Sequence, residues 1–244
     1  MDSFKNIRAL VIGAGGGIGQ ALVEQLAGTA NVERLFAASR RNPAGDGDRF
    51  SCLALDLEEE DSIARAAASC RDQGGVNLVI VATGLLHQGS RLQPEKSWRA
   101  LDPEQLMRSF AVNTIGPALV AKHFLPLLPR GERGVFAALS ARVGSISDNR
   151  LGGWHGYRAS KAALNMMIRN LAIELARRNP SALCIGLHPG TVDTPLSSPF
   201  QGNVPPGKLF SPGRAARQLL TVIDQATAEN NGQLLAWDGQ VITP

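Results

Sequence analysis

Tyr157 and Lys161 stand four residues apart in Tyr157-Arg158-Ala159-Ser160-Lys161, a spacing that places a phenol and an ammonium on one face of a helix. Such a pair can move a proton. A free phenol has a pKa of about 10, and bringing it to about 7 takes roughly 4 kcal/mol of differential stabilisation. A fixed positive charge nearby acts in that direction. The phenol would then protonate a carbonyl oxygen, or take the proton from an alcohol in reverse. Tyr157 is the single tyrosine of the chain. The same spacing also describes an ordinary surface pair, so its meaning depends on what accompanies it.

What accompanies it is Gly13-Ala14-Gly15-Gly16-Gly17-Ile18-Gly19, placed directly after an apolar strand pattern and opening a helical one. Glycines let a backbone turn tightly and approach a pyrophosphate, and the free N–H groups of a helix start favour its negative charge. The spacing Gly13-x3-Gly17-x-Gly19 is tighter than GxGxxG. A glycine-rich turn without a ligand is the plain alternative. After the second strand, where a dinucleotide site for NAD carries an acidic residue, this chain reads Ala38-Ser39-Arg40-Arg41. A carboxylate would repel a 2′-phosphate, whereas Arg40 can pair with one through two parallel hydrogen bonds. The expected cofactor is NADP(H).

These groups must be held by elements, and the hydrophobic pattern supplies them. Strand-length apolar runs at Arg8–Ile12, Arg34–Ala38, Cys52–Leu55, Leu78–Ala82, Gly134–Leu139, Leu183–Leu187 and Gln233–Ala236 alternate with helical stretches. The helices are expected near Ile18–Ala27, Glu60–Arg71, Glu104–Leu128, Tyr157–Arg178 and Pro212–Ala226. Alternation of this kind predicts an α/β single-domain Rossmann fold: a doubly wound, parallel seven-stranded sheet with helices on both faces, over residues 1–244. Two long loops, Leu85–Pro103 and Asp193–Ser211, follow strands at the edge where open parallel sheets bind ligands. The substrate pocket is therefore expected among Leu85–Pro94, Ser145–Trp154 and the loop after Thr194, with Leu151, Trp154, Leu196 and Phe200 as an apolar lining.

Composition narrows the function classes. A net charge of +4 comes from Lys and Arg scattered among Asp and Glu, without the basic stripe a nucleic-acid surface needs. No apolar run approaches the roughly 20 residues of a membrane span. Cys52, Cys70 and Cys184 are far apart with no ligand spacing, and His87, His123, His155 and His188 occur singly, so no metal is implied. Met1–Lys5 lacks the order of a signal peptide. A cytoplasmic protein is expected, with no nucleic-acid or membrane partner.

Glycine turn, YxxxK and chain length together resemble the short-chain dehydrogenase/reductase family along essentially the whole chain. Within it, Gly144-Ser145-Ile146-Ser147-Asp148-Asn149, Gly152-Gly153-Trp154-His155-Gly156-Tyr157 and the tail Ala236-Trp237-Asp238-Gly239 are similar to the C-factor type of carbonyl reductase-like proteins. The resemblance implies hydride transfer between NADP(H) and a carbonyl or alcohol carbon of a small, partly apolar substrate. Tyr157 would be the general acid/base and Lys161 would orient the nicotinamide ribose. Asn113 would hold a water of the proton relay, and a serine would fix the substrate oxygen. For the cofactor it implies contacts from Gly13, Gly15, Gly16, Gly17, Ile18, Gly19, Arg40, Asp56, Leu57, Ala82, Thr83, Gly84, Tyr157, Lys161, Pro189, Gly190, Val192 and Thr194. It also implies a homodimer or homotetramer pairing the two long helices. The C-factor likeness brings a second reading, a non-catalytic NADP(H)-binding regulatory or signalling protein.

Two positions depart from the family pattern. Val81-Ala82-Thr83-Gly84 stands where the family shows Asn-Asn-Ala-Gly, which leaves backbone contacts there. The catalytic serine, three residues before Gly144, is replaced by Ala141, with Ser140 one residue earlier. Successive strand residues face opposite ways. Either a bulge brings Ser140 into the site, or Ser145 or Ser147 serves, or the carbonyl lacks this partner; Ser140 is the favoured choice.

Overall fold

The computed structural model describes residues 1–40, 47–89 and 91–244, with only the backbone of Asn203; Arg41 lies outside them. In chain order the strands are β1 (Ile7–Ile12), β2 (Val32–Ser39), β3 (Phe50–Ala54), β4 (Leu78–Val81), β5 (Gly134–Leu139), β6 (Ala182–His188), β7 (Thr191–Val192), β8 (Leu209–Phe210), β9 (Leu234–Ala236) and β10 (Val241–Ile242). The helices are α1 (Gly17–Ala27), α2 (Glu60–Asp72), α3 (Pro103–Phe110), α4 (Gly116–Phe124), α5 (His155–Arg178) and α6 (Pro212–Gln225).

The main sheet runs β10-β9-β6-β5-β4-β1-β2-β3. Its seven parallel strands are those read from the apolar runs, and the two-residue β10 adds an antiparallel edge against β9. The central strands β4 and β5 are buried throughout, as they must be when both faces are covered. Phe36, Val79, Phe136 and Ala138 lie in one core layer with Val120 and Phe124 of α4 and Leu164 and Ile168 of α5. Leu35, Ile80, Val135 and Ala137 lie in the other, with Leu22 of α1 and Leu219 of α6. Strand order reverses between β1 and β4, and every residue assigned to chemistry by sequence follows the carboxyl end of a strand around that crevice or enters it from α1, α5 or the 111–115 turn.

One helix differs from expectation. Glu104–Leu128 is not one helix: α3 passes through a π-turn at Ala111–Ile115 into α4, and a 3₁₀ turn closes at Leu125–Leu127. Pro117 has no N–H for the Asn113 carbonyl four residues back, and its ring crowds that carbonyl. Gly116 permits the wider turn to press on the β3–α2 connection, since a Cβ there would sit 2.7 Å from Leu57 Cβ. Helical periodicity alone does not show such a turn. No described helix is long and apolar enough to cross a membrane.

Candidate active site

Gly13 leaves β1 with φ +89°, and a Cβ on it would meet the Thr83 methyl at 2.9 Å and the Ala82 carbonyl carbon at 3.1 Å. The Gly13 and Ala14 N–H groups both donate to the Ala38 carbonyl, so the turn is tied across to β2. A Cβ on Gly19 would lie against the Gly13 carbonyl oxygen and 2.7 Å from its carbon. Gly17 faces the Thr194 methyl, while Gly15 and Gly16 are exposed. Ile18 packs partly buried on the core below. Helix α1 has neither a side-chain N-cap nor an acidic residue in its first turn. Its leading N–H groups are thus presented to an anion. Beside the turn, the Thr83 hydroxyl is buried and has no hydrogen-bond partner among the described residues. A crowded turn, an uncapped helix start and an orphaned hydroxyl together suit a phosphate-bearing dinucleotide.

The other expected contacts follow the carboxyl ends of β2, β3, β4 and β6. Arg40 is exposed just past β2. The Asp56 carboxylate accepts from the Glu58 N–H at 3.1 Å, and its backbone is fastened to Ser62. Leu57 is buried against Gly116. Gly84 comes within reach of Leu196, the Lys161 Nζ and the Asn113 Oδ1. Pro189 and Gly190 follow β6, with Gly190 pressed on Phe210 and Trp237. Val192 is buried in β7, and the Thr194 hydroxyl donates to its carbonyl at 3.4 Å.

Helix α5 carries Tyr157 and Lys161. The Lys161 Nζ is 5.9 Å from the Tyr157 ring centre and donates to the Leu139 carbonyl at 2.8 Å. Lys161 is only 2% exposed. Burial holds its ammonium down at about 7 and pushes the Tyr157 phenol up to about 12. Desolvation alone sets the direction of the phenol's shift, and Lys161, itself half neutral near pH 7, does not reverse it. Asn113 is fully buried at the π-turn and grips Leu85 twice, accepting from its N–H and donating to its carbonyl, both at 2.8 Å, and it also donates to the Ser160 hydroxyl. Its side chain thus anchors the start of the 85–103 loop.

Ser140 is not delivered by a bulge. β5 pairs regularly with β6 up to Leu139↔Leu187, and the Ser140 N–H continues the ladder to the Leu187 carbonyl. Its hydroxyl lies on the α5 face and donates to the Asn165 Oδ1 at 2.6 Å. Asn165 escaped the sequence reading, although it lies one turn beyond Lys161 at i+4. Ser145 is buried and its hydroxyl accepts from the Asp148 N–H, while Ser147 bonds to the Pro244 carbonyl. Of the expected lining, Trp154 meets Tyr157 and Phe200 edge-on, at 6.3 and 5.0 Å between ring centres. His87 adds an edge contact to Phe200 at 5.6 Å, whereas Leu151 is 91% exposed. His188 accepts from the Arg142 N–H, and burial and then Arg142 hold its pKa at about 4, against Asp238. It is a neutral structural group.

The Lys161 shift has a measurable consequence. Folded Lys161 loses its proton near 7 and the unfolded one near 10.5. In between, the unfolded chain binds more protons, so the stability this residue contributes rises with pH. Relative to a Lys161→Met variant, the wild type is expected to gain about 3 kcal/mol between about pH 6 and about pH 9, read from urea unfolding.

Residues 8–204 match the family described as short chain dehydrogenase. The chain is 36% identical over 140 residues to 1-hydroxy-2-glutathionyl-2-methyl-3-butene dehydrogenase of Rhodococcus sp. (strain AD45), a match spanning 57% of this chain and 59% of that relative. It is 34% identical over 145 residues to the C-signal protein of Myxococcus xanthus, covering 58% of this chain and 82% of the relative. The fold superimposes on NADPH-bound carbonyl reductase from chicken fatty liver with a TM-score of 0.83 at 26% identity, covering 99% and 95% of the two chains.

Proposed function

The chain belongs to the short-chain dehydrogenase family, and we propose that it is an NADP(H)-dependent oxidoreductase acting on a carbonyl or alcohol carbon of a small, partly apolar substrate. The observation that carries this reading is the convergence of Tyr157 and Lys161 with the Gly13–Gly19 turn on one sheet edge. The similar chicken carbonyl reductase, described as NADPH-bound, supports the choice of cofactor.

In this reading, backbone N–H groups from Gly15 to Ile18 hold the pyrophosphate and Arg40 pairs with the 2′-phosphate. Asp56 and Leu57 flank the adenine. Ala82, Thr83 and Gly84 offer backbone and the orphaned Thr83 hydroxyl. Pro189, Gly190, Val192 and Thr194 hold the carboxamide end, while Tyr157 and Lys161 hold the nicotinamide ribose. When bound, the reduced nicotinamide supplies the hydride. Tyr157 then donates its proton to the substrate oxygen, and it accepts one in the alcohol-oxidising direction. The Tyr157 phenol, neutral near pH 7, suits the donor role. Ser140 is the proposed partner of the substrate oxygen; it serves by turning its hydroxyl from Asn165. The exposed apolar residues Ile115, in the turn before α4, and Met166 and Ile173, on α5, support a homodimer or homotetramer.

The test is cofactor titration followed by fluorescence. The wild type is expected to bind NADPH at least about tenfold tighter than NADH, and Arg40→Ala to lose most of that preference, a change of roughly 1.4 kcal/mol or more. Equal affinity for both cofactors in the wild type would remove Arg40 from the site. One observation favours a second reading, a non-catalytic NADP(H)-binding regulator: the Ser140 hydroxyl is engaged and Ala141 fills the neighbouring slot. NADPH binding without turnover would favour it.

A further inference from the structure

We infer that Glu95 is a positioning residue that fastens the 85–103 loop to the start of α5 and thereby sets Trp154 and Tyr157 in their working places. The inference rests on the oxidoreductase reading given above. Glu95 is 6% exposed and, with Lys161, is one of two charged residues buried among the described residues. Both of its carboxylate oxygens accept from the Gly156 N–H, at 3.2 and 3.1 Å. Its main-chain carbonyl accepts from the Trp154 N–H at 2.6 Å. A residue 61 positions away therefore supplies what α5 lacks locally, since no side chain caps that helix at its own N-cap.

The charge is suited to the place. A carboxylate at a helix start is favoured by the helix dipole and by the charge-assisted bond to a backbone N–H. Trp154 is the one non-glycine residue with positive φ, +50°, among the described residues. That conformation is costly for a bulky side chain and persists only where its surroundings over-determine it. Here the restraint comes from Glu95, and its product is an indole set edge-on to both Tyr157 and Phe200. The 85–103 loop is thus pinned twice, at Leu85 by Asn113 and at Glu95 by α5. Gly156 leaves the room required: a Cβ there would be 2.9 Å from the Glu95 Oε1 and 3.2 Å from Leu106.

Glu95→Ala, Glu95→Gln and Gly156→Ala test the assignment. Glu95→Ala is expected to lower kcat for an aromatic ketone by about tenfold to a hundredfold, the cost of a small misplacement near the reacting groups, with NADPH affinity within about twofold. Hydrogen exchange, measured without substrate, should quicken in the first turn of α5 and leave its later turns unchanged. Glu95→Gln retains an acceptor oxygen and should restore most of both readouts. Gly156→Ala, which by helix propensity alone would be neutral or favourable, should reproduce the Glu95→Ala defects and covers the case in which that variant fails to fold. Wild-type exchange and wild-type kcat in Glu95→Ala, or equal losses in the Gln and Ala variants, would overturn the inference. A wild type without turnover would instead count against the oxidoreductase reading, and the exchange data would still decide the clamp.

Discussion

Replacing Tyr157 with Phe is expected to lower kcat by about a thousandfold or more, the upper part of the range for a positioned general acid. NADPH affinity should change by less than about threefold, because the aromatic ring that meets Trp154 and faces Lys161 is kept and a single hydrogen bond is lost. The size of the effect follows from isolation. Tyr157 is the only tyrosine, and Lys161, bonded to the Leu139 carbonyl, is assigned to the nicotinamide ribose and not to the substrate oxygen. Ser140→Ala, measured beside it, should cost no more than about tenfold, since that hydroxyl must first leave Asn165 to act. Stopped-flow single turnovers with NADPH preloaded separate the two losses from any change in binding. A Tyr157→Phe enzyme within tenfold of wild type would remove the phenol from the chemistry.

The second large effect is predicted at Gly19. A Cβ there would lie against the backbone of Gly13, 2.7 Å from its carbonyl carbon, and neither strand end nor helix start can yield without the other. Gly19→Ala is expected to destabilise the fold by about 3 kcal/mol or more, in the range of overpacking and strained-backbone substitutions. In the folded fraction it should weaken NADPH by at least about a hundredfold, because the N–H groups of Gly15 to Ile18 lose their common aim. Gly15→Ala is the control. The nearest atom to its Cβ would be Ser39 Cβ at 3.9 Å, so its stability should stay within about 1 kcal/mol of wild type. Thermal unfolding and NADPH titration of the two variants check both statements. Equal behaviour would show that packing within the turn does not govern it.

How far this could be read from sequence differs from element to element. The seven parallel strands were legible because burial on both faces leaves uninterrupted apolar runs such as Leu78-Val79-Ile80-Val81. Gly13 and Gly19 were legible because the crowding is local, between a strand end and the helix that follows it. The π-turn was not, although Pro117 marks where it must fall, because amphipathic period survives a single extra residue. Glu95 lies in Pro94-Glu95-Lys96, where a charged residue in a long polar loop reads as solvated. Only the return of the chain at Trp154–Gly156 buries it. The direction of the Tyr157 shift was likewise out of reach. A neighbouring lysine argues for a lower value, whereas the burial that outweighs it belongs to the three-dimensional arrangement. For Ser140, strand alternation made the one-residue shift from Ala141 matter but left open how the hydroxyl would be placed, because its partner Asn165 comes from another element.

We propose that this sheet edge transfers a hydride from NADPH to a carbonyl carbon with Tyr157 as the acid. The most direct test is to incubate the purified protein with NADPH and a panel of aromatic and aliphatic ketones and aldehydes. Loss of reduced-nicotinamide absorbance and formation of alcohol are followed together. One alcohol is expected per NADPH consumed, with NADH a much poorer donor and the Tyr157→Phe protein silent. Tight NADPH binding with no alcohol from any member of a broad panel, indistinguishable between wild type and Tyr157→Phe, would contradict the proposal and leave the regulator reading in its place.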